Sequence, residues 1–513
     1  MPALTTTARP HTDSSGRWAF LLLAVLSVAA AGALMLIGTA VGTLYAVVAV
    51  LGLLAVIVVV VNPVFGIVVL VGTLVLGLPW FLAGDGRLTA NNLLGLILLA
   101  MLIIQICLTR DLWFLKSPQV ILLVLIGAAL IISLMHARHV WVPRMPITTI
   151  FSYNVAKDQT ENTLFTFFSR LVFLLMFVNF VKSRRHVILI LLAFLVFTMA
   201  VIPGAYNNLV NYKGEVDIAT GKTIDADTGK ATEFRIVSDA TSWAKNENRL
   251  AFMCNASILL IWMFMQIWKR LVVRVVGFLL ILVMSGLTLA TASRSGFLCM
   301  GLVYLFLLSE RGVPWSFRFG ALGAVAFCGL IFFLVLPSAS YERLLNYSTD
   351  QSSHPQAWRS TQTRIETNEH AVAVLMKAPI IGVGPGNFRW LHRELYPYSI
   401  AAGRPNHNSF LWAATEGGLL TLGLYLTLFV FLWRDLRRIQ RLYSHDDEMW
   451  HVARFLRGFL LTFVFFSAFA DFWLEPHLYI LAGTTMILLR RLPYEAKAPE
   501  PMPIGAATAP TAA

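Results

Sequence analysis

The chain has 513 residues, of which 58% are hydrophobic and only 13% are charged, with a mean hydropathy of +0.72. A soluble domain carries roughly 25% charged residues, so the composition excludes a soluble globular protein and describes a multi-spanning membrane protein. The formal charge of +13 does not indicate nucleic-acid binding, because the basic residues lie mainly in short connections between apolar runs, where they set membrane orientation.

Residues 1–17 are polar and lead into a long apolar run without a clear cleavage site, which reads as a signal anchor behind a cytoplasmic tail. Stretches long enough to cross a bilayer, about 17–25 residues each, are expected at 18–38, 40–61, 64–82, 92–108, 119–135, 164–181, 187–203, 250–267, 272–290, 295–309, 317–337, 407–432, 455–470 and 473–489. The fold class is therefore an all-α polytopic membrane protein of about 14 transmembrane helices. The organisation follows as a tail (1–17), N-terminal membrane helices (18–203), a loop (204–249), a second membrane group (250–337), a large loop (338–406), C-terminal membrane helices (407–490) and a disordered tail (491–513).

Orientation follows from the connections. With the N-terminus inside, one face collects Arg110 and Lys116, then Lys182, Arg184 and Arg185, then Lys269, Arg270 and Arg274. The same face collects Arg434, Arg437, Arg438 and Arg441, and finally Arg490 and Arg491. The opposite connections are poor in Lys and Arg and include Asp471 and Glu475. This asymmetry predicts that both termini are cytoplasmic and that segments 136–163, 204–249 and 338–406 lie outside.

The four cysteines, Cys107, Cys254, Cys299 and Cys328, all sit in apolar runs and read as small core residues. Asp225 and Asp227 form an Asp-x-Asp pair, but Gly221 and Gly229 bracket it as turn residues. An exposed hairpin is the simpler account, and no metal site is expected. In the large loop, Thr361 to Lys377 reads as a helix with Ile365, Val372, Leu375 and Met376 on one side, stopped by Pro379. On this reading Arg364 begins that helix. The following GVGPGNF lacks the Gly-Lys-Ser/Thr of a phosphate loop and reads as a tight surface turn.

Five titratable residues and Glu416 remain as candidates for chemistry. Arg294 lies in TASRSG at a turn on the face where cations are scarce, and its plain alternative is a snorkelling arginine. Arg294 and Arg364 would suit a diphosphate, since guanidinium groups grip phosphate oxygens in pairs. Arg170 falls about six residues, or roughly 9 Å, inside its predicted helix, and an intramembrane arginine is a functional candidate by default. His407 sits where the large loop feeds a spanning helix through Asn-His-Asn-Ser, and is suited to accept a proton near neutral pH. Glu416 lies nine residues further on, and Arg249 opens the helix after the second loop.

TASRSG, an arginine in a loop helix, APIIGVGPGNF and NHNSFLWAATEGG together resemble the O-antigen ligase and polymerase superfamily of bacterial envelope glycosyltransferases. The resemblance covers residues from about 240 to 435. It implies a GT-C-like glycosyltransferase in the bacterial inner membrane with a large periplasmic loop and a periplasmic active site. It also implies that Arg294, Arg364 and His407 are the residues needed for activity. The implied reaction is metal-independent, cofactor-free, inverting transfer of a glycan from undecaprenyl diphosphate to an acceptor such as the lipopolysaccharide core. The partners implied are that lipid-linked donor, a lipid or glycan acceptor and membrane lipids. A polymerase joining lipid-linked repeat units, and a lipid-linked glycan flippase or transporter, are the competing expectations.

Overall fold

The computed structural model describes residues 56–76, 90–140, 150–210, 246–309, 355–445 and 447–492, three short strand segments between 215 and 233, and isolated positions 323, 326 and 330. Among these residues the membrane part is helical throughout. Its helices are α1 (Pro63–Leu76), α2 (Ala90–Thr109), α3 (Pro118–Val140), α4 (Ile150–Phe180), α5 (Arg184–Met199) and α6 (Val201–Val210). After the strands come α7 (Glu247–Ile267), α8 (Leu271–Ala290), α9 (Arg294–Leu308), α10 (Pro355–Lys377) and α11 (Phe388–Leu395). The last three are α12 (Ser409–Leu442), α13 (Glu448–Ser467) and α14 (Pro476–Met486), the last running on as a π-helical turn, Ile487–Arg491.

Among the described residues eight helical segments are long and apolar enough to cross a membrane, and α1 and α9 supply two shorter apolar helices. The expected span at 18–38, that at 317–337 apart from three isolated positions, most of the one at 40–61, and both chain ends lie outside the described residues, as do Asp225 and Asp227. One departure from an all-α chain is a small antiparallel sheet. Its strands, β1 (Glu215–Val216), β2 (Lys222–Ile224) and β3 (Ala231–Glu233), pair in the order β1-β2-β3. The β2–β3 pair is the hairpin expected around the two aspartates.

Among the described residues the largest apolar cluster is centred on α7, which is buried nearly along its whole length, and a smaller one joins α10, the glycine-rich segment and α11. α7 packs on α8, α9 and α13, while α12 packs on α3 and α13, and α14 on α4. Outward-facing leucines and valines of α2, α8 and α12 remain exposed. That pattern fits helices whose outer faces meet lipid instead of water.

Three boundaries differ from expectation in ways that matter. α4 starts at Ile150, well before the predicted 164. The preceding Ala-Lys-Asp-Gln-Thr-Glu is polar yet helix-compatible, so it extends the apolar helix outward. Arg170 is thus twenty residues into α4, not six, though still inside the apolar part, Asn162–Phe180. α10 starts at Pro355, because proline suits a first helical turn that needs no N–H. Arg364 therefore lies mid-helix and not at a helix start, where the helix dipole would disfavour a cation. Finally, α12 continues to Leu442, so Arg434, Arg437, Arg438 and Arg441 occupy its last turns and not a loop.

A candidate arginine–histidine site framed by a broken helix

The site is framed by an interruption in α12. Gly418 has φ 73° and ψ 178°, which no helix accommodates. In an unbroken helix the Leu419 and Leu420 amides would donate to the carbonyls of Thr415 and Glu416. Instead they donate to Pro379 O (2.8 Å) and Ile380 O (3.3 Å), just past α10. The two carbonyls released in this way accept from Val383 N (2.9 Å) and Gly384 N (3.0 Å). The glycine-rich segment thus replaces a turn of helix bond for bond. This matters inside a bilayer, where an unpaired backbone group costs several kcal/mol.

Glycine is required at the crossing. A Cβ on Gly418 would collide with the Ile380 carbonyl, and one on Gly382 would lie 2.6 Å from the Glu416 carbonyl carbon and oxygen. Ser133 of α3 closes the junction, donating to Glu416 O (2.5 Å) and accepting from Gly384 N (2.9 Å). GVGPGNF is therefore a tight turn, as expected, but a buried one: Gly382 through Phe388 are all inaccessible. Ser133 and the four exchanged hydrogen bonds explain why it sinks between helices.

Glu416 belongs to this frame. It is fully buried, and its carboxylate faces the Gly386 and Phe388 amides and the Trp412 indole. The structure groups it with the glycine segment, not with the arginines.

The first turn of α7 organises the rest. Asn248 accepts from Ser293 Oγ (2.7 Å) and Ser295 Oγ (3.2 Å), and Asn255 Nδ2 donates to Gly296 O (3.2 Å). These contacts clamp the TASRSG turn, in which Ala292 adopts a φ of 50°. That conformation is costly for a residue with a Cβ and marks a built feature. Ser293 caps α9 by accepting from Gly296 N, and Arg294 projects from the first turn. Its Nη1 donates to Thr361 Oγ1 of α10 at 3.1 Å. Arg364 lies three residues on, one turn along the same helical face.

Beside Asn248, Arg249 contacts Glu475 at 3.0 Å and Asp471 at 3.7 Å. Glu475 also acts on Arg170 of α4, together with Tyr479. His407 is brought in by the start of α12. Ser409 Oγ donates to Ala470 O (2.6 Å) and accepts from Phe472 N (2.7 Å), which ties that helix to the Asp471 segment. Asn408 caps the helix by accepting from Phe410 N and Leu411 N. His407 is held below the ordinary imidazole range, first by burial and next by the Arg364 guanidinium, while Asp471 pulls the other way. It is therefore neutral near pH 7 and able to accept a proton.

The structure thus brings Arg294, Arg364 and His407 together, joins Arg249 and Arg170 to them through Glu475 and Asp471, and leaves Glu416 apart. Sequence reasoning missed the role of Asp471 and Glu475. Two carboxylates in a short connection between apolar helices, where charges are scarce, were the available signal. A second histidine cluster also went unnoticed. His370 of α10 and His392 of α11 meet at 3.0 Å between ring nitrogens, and His370 stacks on Tyr396 at 3.7 Å. Ser399 donates to Glu366 nearby at 2.6 Å. This cluster locks the two loop helices together.

Fold and site define a multi-pass membrane protein that presents arginines and a neutral histidine at one end of its helix bundle. A family model described as O-antigen ligase matches residues 279–426, and over this stretch the chain is similar to that family. The match holds Arg294, Arg364, His407 and the glycine junction, while Arg170, Arg249, Asp471 and Glu475 lie outside it. No curated protein matches the chain.

Proposed function

We propose that the protein is an O-antigen ligase-type glycosyltransferase of the bacterial inner membrane, working at the periplasmic surface. It transfers a glycan from undecaprenyl diphosphate to an acceptor such as the lipopolysaccharide core. The observation that carries this reading is the contact of Arg294 with Thr361, one turn from Arg364, with His407 beside Arg364. Arg294 and Arg364 bind the diphosphate and stabilise the charge that grows on it as the glycosidic bond breaks. His407 accepts the proton of the acceptor hydroxyl as it attacks the anomeric carbon, which inverts. Arg249 is committed to Glu475 and Asp471, and so positions the floor of the site; Arg170 acts beside it. No metal or cofactor enters this scheme.

The same chemistry serves a polymerase whose acceptor is a second lipid-linked repeat unit. The test is glycan transfer in reconstituted membranes with a lipid-linked donor, beside the glycan profile of a deletion strain. Long undecaprenyl-linked chains accumulating in that strain support the ligase, and single repeat units support the polymerase. Accumulation of donor trapped on the cytoplasmic face, with transfer intact, would replace both with a transporter.

A further inference from the structure

At the end of the bundle opposite His407 lies a cavity of about 350 Å³, between the start of α3, the end of α12 and the π-helical turn after α14. It is lined by Arg434, Arg438 and Arg490, by Asp435, and by Leu442 and Leu489. Helices that cross a bilayer end there, so the cavity sits level with a membrane surface. We propose that it holds the phosphate headgroup of an anionic phospholipid.

Its one carboxylate is turned to a structural task. Asp435 is buried and accepts from Gln119 Nε2 at 2.6 Å, while Gln119 in turn accepts from Ser117. Asp435 also stands 3.6 Å from Arg434 Nε, which fixes that guanidinium at the rim. The wider π-helical turn sends two successive arginines different ways. Arg491 donates to the Val178 and Asn179 carbonyls at the end of α4, whereas Arg490 lines the cavity and donates to Lys116 O at 2.9 Å. Such turns recur at functional positions. Arg438 makes no hydrogen bond or ion pair among the described residues, leaving its fork for a ligand.

The chemistry selects the ligand class. Three guanidinium groups against one committed carboxylate favour an anion, and planar forks favour phosphate oxygens. The volume is at the low end for ligand pockets, about 300–1,000 Å³, which fits a headgroup rather than a whole lipid. Leu442, exposed, and Leu489 border the arginines and suit the glycerol and first methylenes. A soluble phosphate would gain nothing from these leucines. This site is independent of the transfer reaction proposed above.

The experiment uses the full chain purified in uncharged detergent, titrated with phosphatidylglycerol, phosphatidylcholine or inorganic phosphate, and read by native mass spectrometry and thermal unfolding. One phosphatidylglycerol is expected to stay bound per chain and to raise the unfolding temperature, with phosphatidylcholine and phosphate doing neither. Each of Arg438→Gln and Arg490→Gln should weaken retention by roughly fivefold. Arg441→Gln, on the same helix end but outside the cavity, should not. Equal retention of phosphatidylcholine, or equal weakening by Arg441→Gln, overturns the site. A stabilisation by inorganic phosphate matching that by the lipid overturns the lipid assignment. Should the variants fail to fold, the comparison of the three ligands on the unaltered chain still decides the matter.

Discussion

The two ends of the helix bundle both carry arginines, and they hold them in opposite ways. At one end Arg437 and Arg441, outside the headgroup cavity, stand exposed on the last turns of a single helix, so their placement depends on local sequence alone. At the other end Arg170, Arg249, Arg294 and Arg364 come from four different helices. They meet through Thr361, Glu475 and Asp471, residues that no short window would group together. The difference separates charges that orient a protein in a bilayer from charges that converge on a ligand. An orienting charge needs only to be on the right side, whereas a converging one needs a frame.

The comparison is broken most severely by removing that frame. Gly418→Ala forces a side chain into a left-handed conformation, at about 1–2 kcal/mol, and disturbs exchanged hydrogen bonds worth about 1 kcal/mol each. Loss of folded, monodisperse protein on size-exclusion chromatography is expected. A Gly418→Ala protein with unchanged yield and unfolding temperature would mean that the helix break is not held by the glycine segment.

Next in size is the reaction itself. His407→Ala should lower glycan transfer by about 10²–10⁴ while leaving binding of the lipid diphosphate donor nearly intact. If donor binding disappears as well, the histidine is a donor contact and not the base. Arg364→Lys keeps the charge but loses the fork, and should cost about 10²–10³ in transfer. Arg441→Lys at the opposite end should change nothing measurable, and equal losses at both positions would erase the distinction between the two ends.

The smallest effects concern pH. Because burial and Arg364 lower the His407 pKa, transfer should hold steady as pH falls to about 6.5 and decline only below it, as the base becomes protonated. Arg364→Gln removes the second of these causes, so its residual activity should decline at a higher pH than that of the unaltered chain. A decline beginning well above 6.5 would argue against this histidine as base. The His370–His392 pair behaves similarly in stability. Both rings are held below the ordinary value, chiefly by burial. Their contribution to folding is therefore complete above about pH 6.5 and is lost as the pH falls further, because protonation favours the unfolded chain. Limited proteolysis of the loop helices at pH 7.5 and 5.5 should show faster cleavage at the lower value.

Much of this architecture was legible because hydropathy and the arginine asymmetry are strong signals over twenty residues. The spans around 119–135 and 250–267 fall where α3 and α7 stand. Arg294, Arg364 and His407 were legible as lone polar groups in TASRSG, the loop helix and Asn-His-Asn-Ser. What escaped depends on contacts between distant residues. Nothing in the run of GVGPGNF says that its amides will pair with Thr415 and Glu416, since that requires knowing that Gly418 breaks a helix thirty-odd residues later. Periodicity placed an apolar side on the loop helix without saying what it faces. Ile365, Val372 and Met376 do share a face, but it is exposed, while the small Ala371 and Val374 pack inward with Thr363 and Thr367. Small residues allow α10 to approach its neighbours closely, and periodicity alone does not say which of two mixed faces will do so.

The exchanged bonds between the glycine segment and α12 also set a rule for chain length. The end of α10 is welded to a point about nine residues along α12, and His407 stands two residues before that helix begins. Arg364 is thus measured off from the weld by a rigid helix, in which each added residue turns a side chain by about 100°. Insertions or deletions between 364 and 382 would swing this arginine away from the histidine. A change of length between 397 and 405 leaves the weld itself untouched but strains the hydrogen bond from Ser399 to Glu366, half a turn from Arg364. The segment therefore has one stretch that behaves as a ruler and a second that braces it.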